Sequence, residues 1–493
     1  MLANGDWVMP SFNGEPRLQK TPLSYWLVAM TAKVTGKVDE FTARLPSAIS
    51  AILSVAVIIY FISKWLSLRV ALLAASVWVT SLGYIRYSQN ARPEMLMTFF
   101  TTLCFLSFYT AIESSEKKQR VRYMLIFWFS FGIANLAKGP APIPMVLFPL
   151  FCYVMIFRKW KMIPKLLPVL GPIIFLAIIL PWPLAIAYRV NWDLTLWKHE
   201  FFDRFFGDYA SGSKPIYYYL PTMFILMVPW VALLPGALAA PFFKVWQDKL
   251  KVMRFLLTWF VAGLIFITIA GGKRQHYILP FMPAVAILVG IILNDMIFER
   301  KAHTAKQAKD FLRWHLVAMF IASIAVIIYA LKENKELLTA AIVAAGTMIL
   351  FTIAIAMLFK QNKPRAAMVT VFAAIIVLIM IGHLGFINPL NYNEPSRRFT
   401  TVVADKVPAD DELVGYKFVT GRFVQYSGRV VRQIASEVEA SELYEKGYWI
   451  VAFAEDVELL QSKGFDVAYF NENAERHRSN IVAGALFHKT TTD

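Results

Sequence analysis

Twelve apolar stretches of about 20 residues, separated by short polar loops, constrain this chain most, because that is the length of helix that crosses a hydrocarbon core about 30 Å thick. They lie near 44–66, 69–87, 92–113, 121–138, 140–157, 166–187, 216–243, 254–271, 276–298, 313–331, 337–358 and 365–387. In lipid each backbone N–H and C=O has to be satisfied within its own segment, so runs of this length are read as helices. A soluble domain carries about 25% charged residues; here 17% are charged and 58% hydrophobic, with a mean hydropathy of +0.52. The expected fold is mostly α, a polytopic membrane protein with about twelve transmembrane helices.

The net charge of +17 suits a nucleic-acid binder, but its placement argues for topology and against nucleic acid as a partner. Loops after odd-numbered spans are basic, as in KKQRVR at 117–122, RKWKMIPK at 158–165 and KVWQDKLKVMR at 244–254. They hold about 22 Lys and Arg against about 11 in the short even loops, a ratio of roughly two to one. The odd loops are therefore expected in the cytoplasm, and residues 1–43, 188–215 and 388–493 outside, in a bacterium the periplasm of the inner membrane. The first 43 residues show neither a basic n-region nor an apolar h-region, so their outward placement leads us to expect a helix upstream of the chain as given. Cys104 and Cys152 both sit in apolar runs and form no metal or disulfide motif.

Three regions follow: 1–43, an outer loop with an amphipathic interfacial segment from Leu23 to Val34; 44–387, the transmembrane domain; and 388–493, a small outer α/β domain. In the last, ELVGYKFV (412–419), YWIVAFA (448–454) and FDVAYFN (465–471) read as strands, while SEVEASELYEK and EDVELLQSK have helical spacing. Prolines gather at 140, 142, 144 and 149 and at 181 and 183, where they kink helices.

Charged residues on the outer side are the functional candidates. Lys20 suits either lipid head groups or a substrate phosphate, and spacing does not separate the two. Arg92 and Glu94 flank Pro93 at the head of the third span, where a carboxylate is explained equally by the helix dipole or by a base or sugar-hydroxyl ligand. Lys138 stands in NLAKGP, and His199, Glu200 and Arg204 in WKHEFFDRF. The pair His199-Glu200 opens like HExxH, but Asp203 takes the place of the second histidine, so a zinc protease is excluded. The densest group is GGKRQHYILP, which places Lys273, Arg274, His276 and Tyr277 at one outward turn. Positive charge there runs against the topological trend and points to an anionic ligand.

In MLANGDWVMPSFNGEPRLQKTP, ARPEMLMTFF, LAKGP, HEFFDRF and GKRQHYILP, taken in order, the chain resembles the polytopic glycosyltransferases of the C superfamily, in particular the lipid A aminoarabinose transferases and the protein mannosyltransferase-like bacterial proteins. The resemblance implies transfer of a pentose or hexose, 4-amino-4-deoxy-arabinose among them, from a polyprenyl-phosphate to lipid A, another glycan or a protein, with inversion. It implies that Lys20, Arg204 and Tyr277 contact the donor phosphate with Lys273 and Arg274 nearby, and that Arg92, Lys138, His199 and Glu200 line the cavity. Glu94 stands where the family has its second acidic residue, usually aspartate; the family's first helix and the Asp-Glu motif after it are not in this sequence. No cofactor is required, although the resemblance leaves room for a divalent metal between position 19 and His199, which Gln19 in place of glutamate weakens. The alternative class is a polyprenyl-lipid transporter or a truncated, impaired enzyme. Transporters show internal repeats and charges at the midplane, and this sequence shows neither.

Overall fold

The computed structural model describes residues 1–2, 5–17, 20–192, 195, 214–301, 304–333, 335–387, 395–418, 420–471 and 483–489. It divides into two compact units, one of residues 1–10, 17–328 and 345–378 and the other of 11–16, 329–344 and 379–493.

All twelve apolar stretches are helical. Seven are unbroken helices long and apolar enough to cross a membrane, from Glu40–Trp65 to Pro364–Ile387. Two more are continuous but shorter or more polar, Lys117–Lys138 and Pro142–Ile156. The remaining three, each expected as a single span, are bent pairs: Leu68–Val79 with Leu82–Ser88 at 64°, Leu170–Ile179 with Pro181–Arg189 at 40°, and Ile216–Leu226 with Trp230–Phe242 at 116°. In the second pair the break falls at Pro181, whose ring cannot continue the ladder.

Two of the breaks satisfy each other. The Leu82 N–H, freed where the first pair bends, donates to the Val228 carbonyl freed in the third, at 3.0 Å. The Trp230 indole donates to Thr80 Oγ1 at 2.9 Å across the same junction. Gly83 lets the chains approach, since a Cβ there would stand 3.2 Å from the Leu226 carbonyl oxygen. Non-helical backbone is tolerated at membrane depth only where protein covers it, and here each break covers the other. The sharply bent segment still runs the length of the bundle: Tyr219 bonds at the Arg274 end of the Gln275–Phe298 helix, and Trp246 at its Asp295 end.

That helix is central. Of its apolar stretch 94% is buried, against 17–22% for the last three spans, which present most of their surface outward. Glycines permit this depth: a Cβ on Gly290 would stand 2.6 Å from the Ala74 backbone nitrogen, and one on Gly263 would stand 2.3 Å from the Phe281 ring. At one end the helix is pinned by Asp295, fully buried, which accepts from the Trp246 indole at 2.8 Å, from Lys249 and from Asn294 at 3.1 Å, with Lys301 at 3.3 Å. The opposite end carries the turn of Lys273 to Tyr277.

In the second unit a five-stranded sheet has the order β4-β3-β5-β7-β6, with β3 (Leu413–Tyr416), β4 (Val431–Ile434), β5 (Trp449–Phe453), β6 (Val467–Phe470) and β7 (Ala483–Phe487). β4, β3 and β5 are parallel, and β7 is antiparallel to both neighbours. Alternation assigns the two faces: Val414 and Tyr416 join Leu443 and Leu460 in one core, while Leu413 and Val451 join Phe399 and Phe423 in the other. Three strands and both helices expected from the sequence are present; β4 and β7 add to them. Near the N-terminus, β1 (Ser11–Phe12) and β2 (Glu15–Pro16) form a hairpin. Its turn residues Asn13 and Gly14 both have positive φ, 54° and 82°, as a two-residue Asn-Gly hairpin requires. The Asn13 side chain accepts from the Val431 N–H and donates to the Val431 carbonyl, both at 2.7 Å, and so caps edge strand β4.

Candidate functional site

Three helix ends of the first unit converge on Glu94. Pro93 opens the Glu94–Glu113 helix and leaves Glu94 in its first turn, and the Ser47 hydroxyl fixes the preceding loop by donating to the Arg92 carbonyl at 2.9 Å. Lys138 is the last residue of the Lys117–Lys138 helix, stopped by Gly139 at a φ of 71°. His276 belongs to the tight turn Gln275–Phe281 that leads into the central helix.

Lys138 Nζ donates to Glu94 Oε1 at 2.9 Å, and His276 Nε2 stands 3.4 Å from the same oxygen. Glu94 is 5% exposed and His276 8%. The second carboxylate oxygen, Oε2, is buried with no hydrogen-bond partner among the described residues. The Lys138 ammonium also lies over the Tyr277 ring, 5.6 Å from its centroid. His276 is packed edge-on between Tyr87 and Tyr277, with ring centroids at 6.3 and 4.8 Å.

Further cations surround this core. The charges of Lys20 and Arg274 reach Lys138, and those of Arg92 and Arg274 reach His276. Arg274 is exposed, with its backbone N–H donating to the buried Tyr219 hydroxyl at 3.3 Å; Lys273 beside it is half-buried. Gln275 is held by Arg86 at 2.8 Å. From the sequence candidates the structure brings together Glu94, Lys138 and Tyr277, with the charges of Lys20, Arg92 and Arg274 acting on Lys138 and His276. His199, Glu200 and Arg204 lie outside the described residues, as does Gln19. Among the described residues no group of three His, Cys, Asp or Glu is placed to hold a metal.

The sequence reading had no means of pairing Glu94 with Lys138 and His276, nor of finding Tyr87 and Tyr219. Tyr87 stands in IRYSQNARPE, five residues before Arg92, and only the fold turns it toward His276. Chemically, one buried carboxylate is paired with Lys138, and the charges of three further cations act on Lys138 and His276 beside it, an arrangement suited to an anionic ligand.

The family model of the dolichyl-phosphate-mannose-protein mannosyltransferases matches residues 19–184. An undecaprenyl phosphate-α-4-amino-4-deoxy-L-arabinose arabinosyl transferase of Aeromonas salmonicida is 29% identical over 366 residues, 71% of this chain and 65% of that protein. A Yersinia pestis protein of the same name is 31% identical over 304 residues, 60% of this chain and 53% of its own length. The chain thus spans between half and two thirds of the relatives it matches. Among solved structures, ArnT from Cupriavidus metallidurans bound to undecaprenyl phosphate superposes with a TM-score of 0.83, covering 100% of this chain and 92% of that one at 18% identity. Its apo state gives 0.81. The chain therefore shares the fold of ArnT, carries the apolar helices of a multi-pass membrane protein, and is similar in sequence to the arabinosyl transferases over part of their length.

Proposed function

We propose that this chain transfers a sugar from a polyprenyl-phosphate donor to a hydroxyl or phosphate of an acceptor such as lipid A, another glycan or a protein, at the outer face of a bacterial inner membrane. The orientation follows from the excess of Lys and Arg in the loops at the Asp295 end. The observation that carries the reading is the buried Glu94 carboxylate paired with Lys138, with the charges of Lys20, Arg92 and Arg274 acting on Lys138 and His276. The names of the relatives and the fold shared with ArnT support the same donor class.

In that reaction the acceptor oxygen forms a bond to the anomeric carbon as the bond from that carbon to the phosphate oxygen breaks. The electron pair stays on the lipid phosphate, whose charge rises by one, and the acceptor proton leaves to a base. The cations answer the first demand. Lys20 and Arg274 offer an ammonium and a planar guanidinium, and donors aimed at developing charge stabilise it by several kcal/mol. Glu94 Oε2 answers the second, being the vacant acceptor among the described groups of the cluster. Arg204 and Tyr277 join the phosphate ligands in this reading, with Lys273 at the rim.

The test is transfer by the purified chain from undecaprenyl-phosphate-linked 4-amino-4-deoxy-L-arabinose and from undecaprenyl-phosphate-linked mannose, with lipid A and a hydroxyl-rich glycan as acceptors. Each of Lys20→Ala and Arg274→Ala is expected to lower kcat by about 10²-fold, the effect of losing one preorganised donor. Undecaprenyl phosphate binding with no transfer of either sugar would move a lipid-carrier role to the front, and full activity in both variants would remove the phosphate site.

A further inference from the structure

We propose that His276 is a positioning residue that, with Lys138, holds Oε1 of Glu94 so that Oε2 alone is offered to the acceptor hydroxyl; this rests on the transfer reading above. Both neighbours address the same oxygen, Lys138 at 2.9 Å and His276 at 3.4 Å, and the other oxygen is buried with no hydrogen-bond partner among the described residues. A single ammonium does not fix a carboxylate. Its three donors swivel, and the glutamate side chain turns about that one contact. A second neighbour on the same oxygen, a ring flanked by two tyrosines, limits that turning.

The need for such a restraint follows from the surrounding charge. Lys138 pairs with the carboxylate, and the charges of Lys20, Arg92 and Arg274 act on Lys138 and His276 beside it; two of these are guanidiniums, whose forks match both oxygens of a carboxylate. Capture of Glu94 by Arg92 or Arg274 would fill Oε2 and withdraw a cation from the phosphate. His276 lies on the turn that also carries Arg274, so the same backbone sets the phosphate ligand and the restraint on the carboxylate. His276 itself need not touch substrate: it is 8% exposed and acts through Glu94.

The experiment is a double-mutant cycle on the full purified chain, with undecaprenyl-phosphate-linked 4-amino-4-deoxy-L-arabinose as donor and lipid A as acceptor. His276→Ala is expected to lower kcat by about 10²-fold, the cost of misplacing a reacting group by about 1 Å, while undecaprenyl phosphate affinity changes less than about threefold. His276→Gln, which keeps a nitrogen donor at similar reach, is expected to recover most of the rate. His276→Ala combined with Glu94→Gln should be no slower than Glu94→Gln alone, since the histidine acts through the carboxylate. Losses that add, or failure of His276→Gln to recover any rate, overturn the proposal. A cryo-EM structure of His276→Ala reads the same claim without activity: Glu94 swung onto a guanidinium supports it, and an unmoved carboxylate overturns it. If the wild-type chain binds undecaprenyl phosphate but transfers nothing, the transfer reading falls, and the position of Glu94 in that structure still decides the role of His276.

Discussion

Asp295→Ala removes the acceptor at the centre of the most concentrated buried ion network in the described part of the bundle. The aspartate is 0% exposed, and its loss leaves the Trp246 indole N–H, itself 3% exposed, without its acceptor. Lys249, whose side chain is 10% exposed, is left with Glu299 at 3.8 Å as its remaining carboxylate. Breaking one side of a buried pair costs about 3–5 kcal/mol, and an orphaned buried N–H about 1–3 kcal/mol. Glu299 is 38% exposed and can shift toward Lys249, which offsets part of this, so the expected loss is about 4 kcal/mol. Asp295→Asn keeps an oxygen for Trp246 and is expected to lose about 2 kcal/mol. Removing both charges together, as Asp295→Leu with Lys249→Met, should recover most of the loss, because an apolar pair has no desolvation penalty. The assay is reversible unfolding in mixed micelles by SDS titration, followed by tryptophan fluorescence. A loss below about 1 kcal/mol for Asp295→Ala, or a double variant whose loss is the sum of the singles, would show that the cluster is not a buried pair in the sense argued.

The other expectations concern different parts of the chain. The Met9 and Val8 backbone N–H groups, aided by Arg189 at 2.6 Å, hold the Asp6 carboxyl below its usual range. A depressed carboxylate stabilises above its unfolded pKa of about 3.9 and loses that contribution as pH falls through the folded value, so the N-terminal segment should stay docked at neutral pH and loosen below about pH 4. Emission from Trp26 and Trp182, which donate to the Trp7 and Val8 carbonyls, reports this, and Asp6→Asn should bring the change to neutral pH. Gly290→Ala drives a methyl into the Ala74 backbone, which has no soft side chain to yield, and should sharply lower the yield of folded protein recovered by size-exclusion chromatography. Gly14→Ala meets only an ordinary contact with Val430 at 3.5 Å, so its cost is the left-handed turn, about 1–2 kcal/mol, read as faster proteolysis within residues 11–16.

The helices were legible because bilayer thickness sets their length, and a run such as 254–271 admits no other structure in lipid. The breaks were not, because a bend at Thr80 is permitted by Val228 and Trp230, far along the chain, and no local pattern records a partner at that distance. The site was legible as a set of outward charges and illegible as a geometry. Glu94 at a helix start is explained by the dipole alone until Lys138 and His276 arrive from two other helix ends. In the five-stranded sheet region the alternation of YWIVAFA and the helical spacing of SEVEASELYEK sufficed, whereas VRQI at β4 is too short and polar to register as a strand. The Asn13-Gly14 pair was a visible hairpin signal; its target on Val431 was not.

The mutual bond between the two broken helices also orders assembly in time. Segment 68–88 leaves the ribosome well before segment 216–242, yet the Leu82 N–H finds its acceptor only on Val228. An unpaired peptide group in hydrocarbon costs several kcal/mol. The earlier segment must therefore wait, straightened, shielded or held by the insertion machinery, until the later one arrives, and substitutions at Thr80, Gly83 or Trp230 should slow maturation in the membrane before they alter the finished protein.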